Sequence, residues 1–295
     1  MALKQSIQKA IDYIDNHQAE DLDLATIAGV AGFSLSHFYK IFLAATGFTL
    51  KEYIRSKRLS RAARELVSTR RRIIDIALEA GFESQESFTR AFSRLYGTTP
   101  AGYRQARREM VHFERHAHFG RELELRYPAD NPGIHIEGKI TERDELYLVG
   151  RELYTSVVGT IEEDVIPRFW REEFIPRIPA INNIKTPNLS IGYEIHHPES
   201  DMLYHLAAVE TVTPEAPAGW QAKTLPPSRY AVFTPDRPPT VYEYGQIVLF
   251  AYGEWLPMKG LQTAGDFTLD FNYADTYFTG YSLDHRRLEV YIPVK

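Results

Sequence analysis

The stretch Gly81-Phe82-Glu83-Ser84-Gln85-Glu86-Ser87-Phe88-Thr89-Arg90-Ala91-Phe92 decides how the first third of the chain is read. A glycine suits the end of one helix, where positive φ is needed. A serine suits the N-cap of the next. Phe88 and Phe92 then share one helical face at i,i+4, while Gln85, Glu86, Thr89 and Arg90 fall on the other. The same arrangement stands about fifty residues earlier. Ala28, Ala31, Gly32 and Phe33 recur 49 places later as Ala77, Ala80, Gly81 and Phe82. Ser34, Phe38, Phe42, Gly47, Thr49 and Tyr53 recur 50 places later as Ser84, Phe88, Phe92, Gly97, Thr99 and Tyr103, Glu83 being the insertion. A repeat of this period is one supersecondary unit used twice.

Working outward, Leu24, Ile27, Ala28 and Ala31 are spaced for one face of a helix, as are Ile73, Ile76, Ala77 and Ala80. Each copy therefore reads helix, tight turn, helix, with the second helix free to enter a major groove. The outward face in copy one carries Ser36, His37, Tyr39 and Lys40. Between the copies, Leu50 to Ser68 has an apolar stripe of Tyr53, Ile54, Leu59, Ala62, Ala63 and Leu66 and is expected to be one long joining helix. Two such units in one chain can read faces of DNA about 34 Å apart without dimerising.

The 295 residues are enough for two domains. At 44% hydrophobic and 25% charged, the composition is that of an ordinary globular protein. The net charge of −5 averages unlike regions: residues 1–108 are net basic, so the remainder is more acidic than the total. That asymmetry suits a first domain that meets a polyanion. Cysteine is absent, which excludes a disulfide framework, thiolate metal sites and a cysteine nucleophile. No apolar run approaches the roughly 18 residues of a membrane span, and the N-terminus lacks a signal layout, so a cytoplasmic location is expected.

The run Gly81–Phe92, with Tyr96-Gly97-Thr98-Thr99-Pro100 and Tyr103-Arg104, resembles the signature of AraC/XylS-type transcription regulators over about residues 5–108. The layout, with this module first, is similar to Rob-type regulators. The resemblance implies a seven-helix double helix-turn-helix module. It assigns base or phosphate contact to Ser36, His37, Tyr39, Lys40, Gln85, Glu86, Thr89 and Arg90, with double-stranded DNA as partner and RNA polymerase as a second one. Arg can bind guanine O6/N7 and Gln adenine N6/N7.

Boundaries are expected at 1–110 for the DNA-binding domain, 111–132 for a linker and 133–295 for a second domain. The linker holds His112, His116 and His118, read as polar linker and not as a metal site, and the turn-rich Tyr127-Pro128-Ala129-Asp130-Asn131-Pro132-Gly133. Beyond it, Tyr147–Leu153, Ser190–Ile195, Tyr204–Thr211, Arg229–Thr234 and Leu288–Val294 read as strands, and Glu162–Phe174 and Tyr242–Trp255 as helices. Glu173-Phe174-Ile175-Pro176 matches Glu254-Trp255-Leu256-Pro257 at an offset of 81. The fold class expected is therefore an all-α first domain followed by an α+β domain of two duplicated β-α-β-type halves around a groove.

Glu254-Trp255-Leu256-Pro257, Gly260 and the closing Leu288-Glu289-Val290-Tyr291-Ile292-Pro293-Val294 resemble the GyrI-like effector-binding domain. That resemblance implies an aromatic-lined pocket for hydrophobic, often cationic, molecules, hence multidrug sensing; the sequence shows no nucleophile-base constellation and no phosphate loop, so no cofactor and no enzymatic role are expected. Candidate ligand residues are Tyr147, Trp170, Phe174, Tyr193, Trp220, Tyr252, Trp255, Asp270 and Glu289. Relatives often carry a pocket glutamate in a Phe-Glu-x-Tyr run; here Phe267-Thr268-Leu269-Asp270 puts Thr268 at that position, with Asp270, Glu194 or Glu289 as substitutes. The alternatives are a small-molecule hydrolase, for which Glu173 and Glu254 are the repeated acids, and a protein-docking module.

Overall fold

The computed structural model describes residues 2–18, 20–106, 134–157, 165–274 and 286–295. The chain divides into two compact units, Met1–Phe38 with Thr46–Leu125, and Tyr39–Ala45 with Arg126–Lys295. The histidines at 112, 116 and 118 and the Tyr127–Gly133 stretch lie outside the described residues.

The N-terminal region is helical: α1 (Ala2–Asn16), α2 (Leu24–Val30), α3 (Leu35–Thr46), α4 (Leu50–Ser68), α5 (Ile73–Glu79), α6 (Gln85–Tyr96) and α7 (Pro100–Ala106). The glycines do what the spacing predicts. Gly32 and Gly81 adopt φ of 84° and 78°. In each copy the glycine and the following phenylalanine bond back into the helix they end. Gly32 N–H donates to the Gly29 carbonyl and Phe33 N–H to Ala28, each at 3.0 Å; Gly81 and Phe82 donate to Leu78 and Ala77, also at 3.0 Å. This pair of hydrogen bonds satisfies carbonyls that an abrupt helix end leaves orphaned. Gly81 also clears space, since a Cβ there would lie 2.6 Å from an Arg58 guanidinium nitrogen.

Caps set the starts. Asp23 accepts from Thr26 N–H at the head of α2, and Ser84 accepts from Ser87 N–H at the head of α6. Thr49 and Glu52 form a capping box on the 19-residue α4. Phe88 and Phe92 are fully buried among Leu59, Leu66, Ile76 and Tyr103, and form the core of the second copy. Phe38 and Phe42 are buried at the equivalent positions of the first.

The second unit is built on one antiparallel sheet of eight strands in the order β1-β6-β8-β7-β3-β4-β2-β5. The strands are β1 (Ile136–Arg143), β2 (Leu146–Ser156), β3 (Leu189–His197), β4 (Met202–Thr211), β5 (Gln221–Leu225), β6 (Ser228–Pro235), β7 (Phe267–Ala274) and β8 (Arg286–Pro293). Two helical segments interrupt them. After β2 comes α8 (Val165–Phe169), widening to a π turn at Trp170–Phe174 and tightening to a 3-10 turn at Ile175–Ala180. After β6 comes α9 (Val241–Phe250), widening to a π turn at Ala251–Trp255 and ending in Leu256–Met258. Each π turn precedes a proline. A proline in the helix lacks its N–H and clashes with the carbonyl four residues back, and widening the turn relieves both. Ile175 N–H accordingly reaches back five residues to Trp170, and Leu256 N–H to Ala251. The carbonyls of Glu172 and Glu173 are taken up by Arg177 at 2.7 and 2.8 Å.

The register sorts side chains between two faces. One face carries Leu148, Ile191, Tyr193, Leu206, Val232, Leu269, Phe271 and Tyr291, a continuous buried cluster. The other, which the helices cover, carries Val149 and Ala207 under Trp170 and Phe174, and Phe233 under Phe250 and Trp255. Among the described residues no single helix is long and apolar enough to cross a membrane.

Candidate functional site

In the N-terminal helical region, Gln85, Glu86 and Arg90 are exposed on α6 and Thr89 is half-buried beside them. Glu86 lies in the first turn of the helix, where its own backbone N–H, then the Ser84 hydroxyl, hold its carboxyl below the usual range. On α3, Ser36 and His37 are half-buried, whereas Tyr39 and Lys40 are buried. The two copies share a scaffold of paired, buried phenylalanines.

In the second unit the central strands β3 and β7 lie between the strands that the two helical segments cover. Gly192 pairs with Asp270, and Glu194 with Thr268, so these four positions share the helix-bearing face. Gly192 keeps that floor low: a Cβ would stand 3.3 Å from His205 Cε1 and 3.8 Å from Trp170 Cζ2. Glu194 is the register partner of His205 on β4. Trp170 Nε1–H donates to His205 Nε2 at 2.9 Å, and His205 Nδ1 lies 3.0 Å from Glu194 Oε1. On the other flank Tyr244 of α9 donates to both oxygens of Asp270, at 2.9 and 3.0 Å.

The two carboxyls are driven apart. Burial works against ionisation of Glu194, but the His205 hydrogen bond leads the effects that outweigh it, and its pKa falls. Asp270 is raised well above the usual carboxylate range, first by burial and then by the charge of Glu194, against which the Tyr244 hydroxyl is a smaller effect. Neighbouring carboxyls in such a setting cannot both ionise cheaply.

Of the residues singled out from sequence, Trp170, Phe174 and Trp220 come together, with ring centroids 5.1 Å apart for Trp170–Phe174 and 6.0 Å for Phe174–Trp220. Trp255 stands edge-on to Phe233 at 5.2 Å and close over Gly138, where a Cβ would meet its indole at 2.5 Å. Tyr252 is buried in the same π turn. Asp270 lies on the floor between these flanks. Tyr147 is on the same face at the outer end of β2, with its hydroxyl on Glu145. Tyr193 and Glu289 lie on the opposite face: Tyr193 is stacked on Phe267 at 5.1 Å, and Glu289 accepts from Tyr273 and Tyr291 at 3.1 and 2.9 Å. His205 and Tyr244 were not singled out, because their partners sit on other strands. Alternation of Gly192, Glu194 and His196 against Ile191, Tyr193 and Ile195 was the available signal for Glu194. Glu173, one of the two acids of the hydrolase alternative, pairs with Arg177 at 3.2 Å and Arg151 at 3.9 Å.

Comparison with known proteins assigns both parts. A helix-turn-helix domain family matches residues 20–106, and the integron-associated effector binding protein family matches residues 139–294, more than half of the chain. The regulatory protein SoxS of Salmonella typhimurium is 41% identical over 104 residues, 35% of this chain and 97% of SoxS. The HTH-type transcriptional regulator YbfP of Bacillus subtilis is 43% identical over 104 residues, and there the match spans 35% of either chain. Among solved structures, SAV2435 bound to tetraphenylphosphonium aligns at 17% identity with a TM-score of 0.40, covering 54% of this chain and 94% of that one. The chain belongs to the AraC/XylS-type transcription regulators, with a DNA-binding helix-turn-helix region and a domain of the effector-binding type after it.

Proposed function

We propose that the second unit senses a hydrophobic small molecule on the central strip of its helix-bearing face, and that occupancy changes transcription from sites read by α3 and α6. The observation that carries this reading is the strip itself: two carboxyls on a glycine-lowered floor, flanked by helical segments whose π turns carry Trp170 and Phe174 on one side and Tyr252 and Trp255 on the other. Aromatic walls with a few placed polar groups are what such sites require, and ring faces beside a carboxylate favour positive charge.

The unit reads as two duplicated halves, β1–β4 and β5–β8. Exchanging the two sets of labels reverses the strand order and leaves it otherwise unchanged. On that reading the strip lies along the pseudo-twofold axis, between β3 and β7, and one ligand faces both halves.

Titration of the full chain with a biphenylmethyl-trimethylammonium cation, and with its neutral isostere carrying carbon for the quaternary nitrogen, tests the sensing role through tryptophan fluorescence. Saturable binding that Trp255→Ala weakens is expected. Binding of neither probe, with Trp255→Ala affecting stability alone, overturns it. For the DNA-binding region we expect Arg90→Ala to cost about 1–3 kcal/mol at one base pair in a gel-shift series. Equal affinity of variant and parent removes Arg90 from base readout.

A further inference from the structure

We propose that His205 is the positioning residue of the strip: it passes the fixed orientation of the Trp170 indole to Glu194, and so makes Glu194, rather than the residue at position 268, the group that discriminates a charged ligand from a neutral one. The inference rests on the sensing reading above and names the residue that sets its charge selectivity.

The argument begins with what an indole can do. Its N–H donates and it has no acceptor. His205 Nε2, 2.9 Å from Trp170 Nε1, must therefore offer a lone pair. That leaves the ring proton of a neutral imidazole on Nδ1, which faces Glu194 Oε1 at 3.0 Å and donates to it. The chain of donors runs one way, from Trp170 through His205 to Glu194, and fixes the tautomer without a second charge. His205 is 2% exposed, so water does not compete for either ring nitrogen.

A carboxylate in such a place needs a donor. Buried and unpartnered, it would take up a proton and lose its selectivity for charge. Asp270 accepts from a tyrosine hydroxyl that is shared between its two oxygens. Glu194 receives a donor whose direction is set from behind by a tryptophan in a packed π turn. Thr268 is the direct register partner of Glu194 on the same face, so the carboxylate stands one interstrand spacing from the position the resemblance assigns to the pocket acid. Gly192 leaves the edge of the imidazole clear, with His205 Cε1 the nearest atom to a Cβ placed there.

Two substitutions separate the two bonds. His205→Gln keeps an oxygen where Nε2 accepts from Trp170 and removes the donor to Glu194. His205→Asn keeps an amide donor near Nδ1 and removes the acceptor for the indole. In the full chain, with the same cation and neutral isostere, His205→Gln and Glu194→Gln should each lower the cation-to-neutral affinity ratio about tenfold, with neutral-probe binding within about twofold of the parent. His205→Asn should retain much of the ratio. Nitrogen-15 spectra of the ligand-free protein give a readout that folding alone does not move. His205 should appear as the neutral Nδ1–H tautomer, and the Trp170 indole N–H, one of three, should shift in His205→Asn and hold in His205→Gln. A parent ratio retained in Glu194→Gln, equal loss of both probes in His205→Gln, or a doubly protonated His205 each overturns the proposal. If the parent binds neither probe while the tautomer is as described, the sensing reading falls and the His205 positioning stands.

Discussion

Trp170–Phe174 and Ala251–Trp255 are the same device at the two ends of one sheet face: an α-helix, a π turn, then a proline. They meet the sheet differently. The first sends its leading aromatic, Trp170, to a histidine and through it to Glu194. The second sends Trp255 flat over a glycine, Gly138, and reaches Asp270 from the preceding helix through Tyr244. Equal backbone geometry thus supports one carboxyl whose pKa is lowered and one whose pKa is raised. The lesson is that the turn fixes where a ring stands, while the strand beneath it decides what the ring does.

The comparison can be broken at its apolar anchors, where the largest effects lie. Phe174→Ala and Trp255→Ala each remove a buried ring and should each cost about 3–5 kcal/mol in urea unfolding. A loss confined to one of the pair would mean that only one segment holds the face. Next are the glycines under the rings. Gly138→Ala forces the Trp255 indole to move and should cost about 1–3 kcal/mol. Gly192→Ala, whose new methyl meets only a tight contact with His205, should cost less. Reversal of that order in thermal melts would show that the floor beneath Trp170 is the less forgiving.

The two carboxyls sharpen the comparison through pH. Asp270 has a folded-state pKa raised above its unfolded value, so its contribution favours folding below the ordinary aspartate range and is lost as pH rises through the folded value. Asp270→Asn should therefore raise stability near neutrality, by an amount that shrinks as pH falls toward the ordinary aspartate value of about 4 and is gone below it. Glu194 has the opposite sign: its contribution is present above the ordinary glutamate range and is lost as pH falls through its lowered folded value. Melting curves across pH in which Asp270→Asn and Glu194→Gln change the slope in the same direction would undo the division of roles.

The smallest expected effect is at the head of α9. Thr240 and Glu243 form a capping box, and Arg237 adds a bond to Glu243 at 3.0 Å. Thr240→Ala should cost about 1 kcal/mol. The Arg237 hydrogen bond, followed by the Thr240 backbone N–H, lowers the Glu243 carboxyl to about 2. Its share is therefore complete above the usual glutamate range and fades as pH drops toward 2.

Much of this was legible from residue types alone. The double helix-turn-helix is written in two Gly-Phe pairs and four spaced phenylalanines, all local features. Five of the eight strands follow from their apolar runs. β1 and β5 do not: they are the edges of the sheet, with mixed, partly exposed residues such as Glu137, Lys139 and Gln221. β7 is hidden because Thr268, Asp270 and Asn272 put polar groups on the face that forms the strip. Aromatic content pointed to Trp170 and Trp255. It could not separate Tyr193 from Glu194, which one residue of strand places on opposite faces. Trp170–His205–Glu194 and Tyr244–Asp270 depend on pairings between distant strands, which periodicity does not carry.

The outer strands have a further consequence. β1 precedes β2 in the chain but lies beside β6, and β5 precedes β6 but lies beside β2. Each stretch of β-β-α-β-β lends its first strand to the other, like clasped hands. Neither can be lifted away intact, and a cut in the connection between β4 and β5 should yield fragments that reassociate instead of two stable pieces. Closing these pairings late in the chain also makes for slow, all-or-none assembly. A molecule seated on the central strip would therefore stabilise one interlocked body, and unfolding should report its presence as a single transition that moves as a whole.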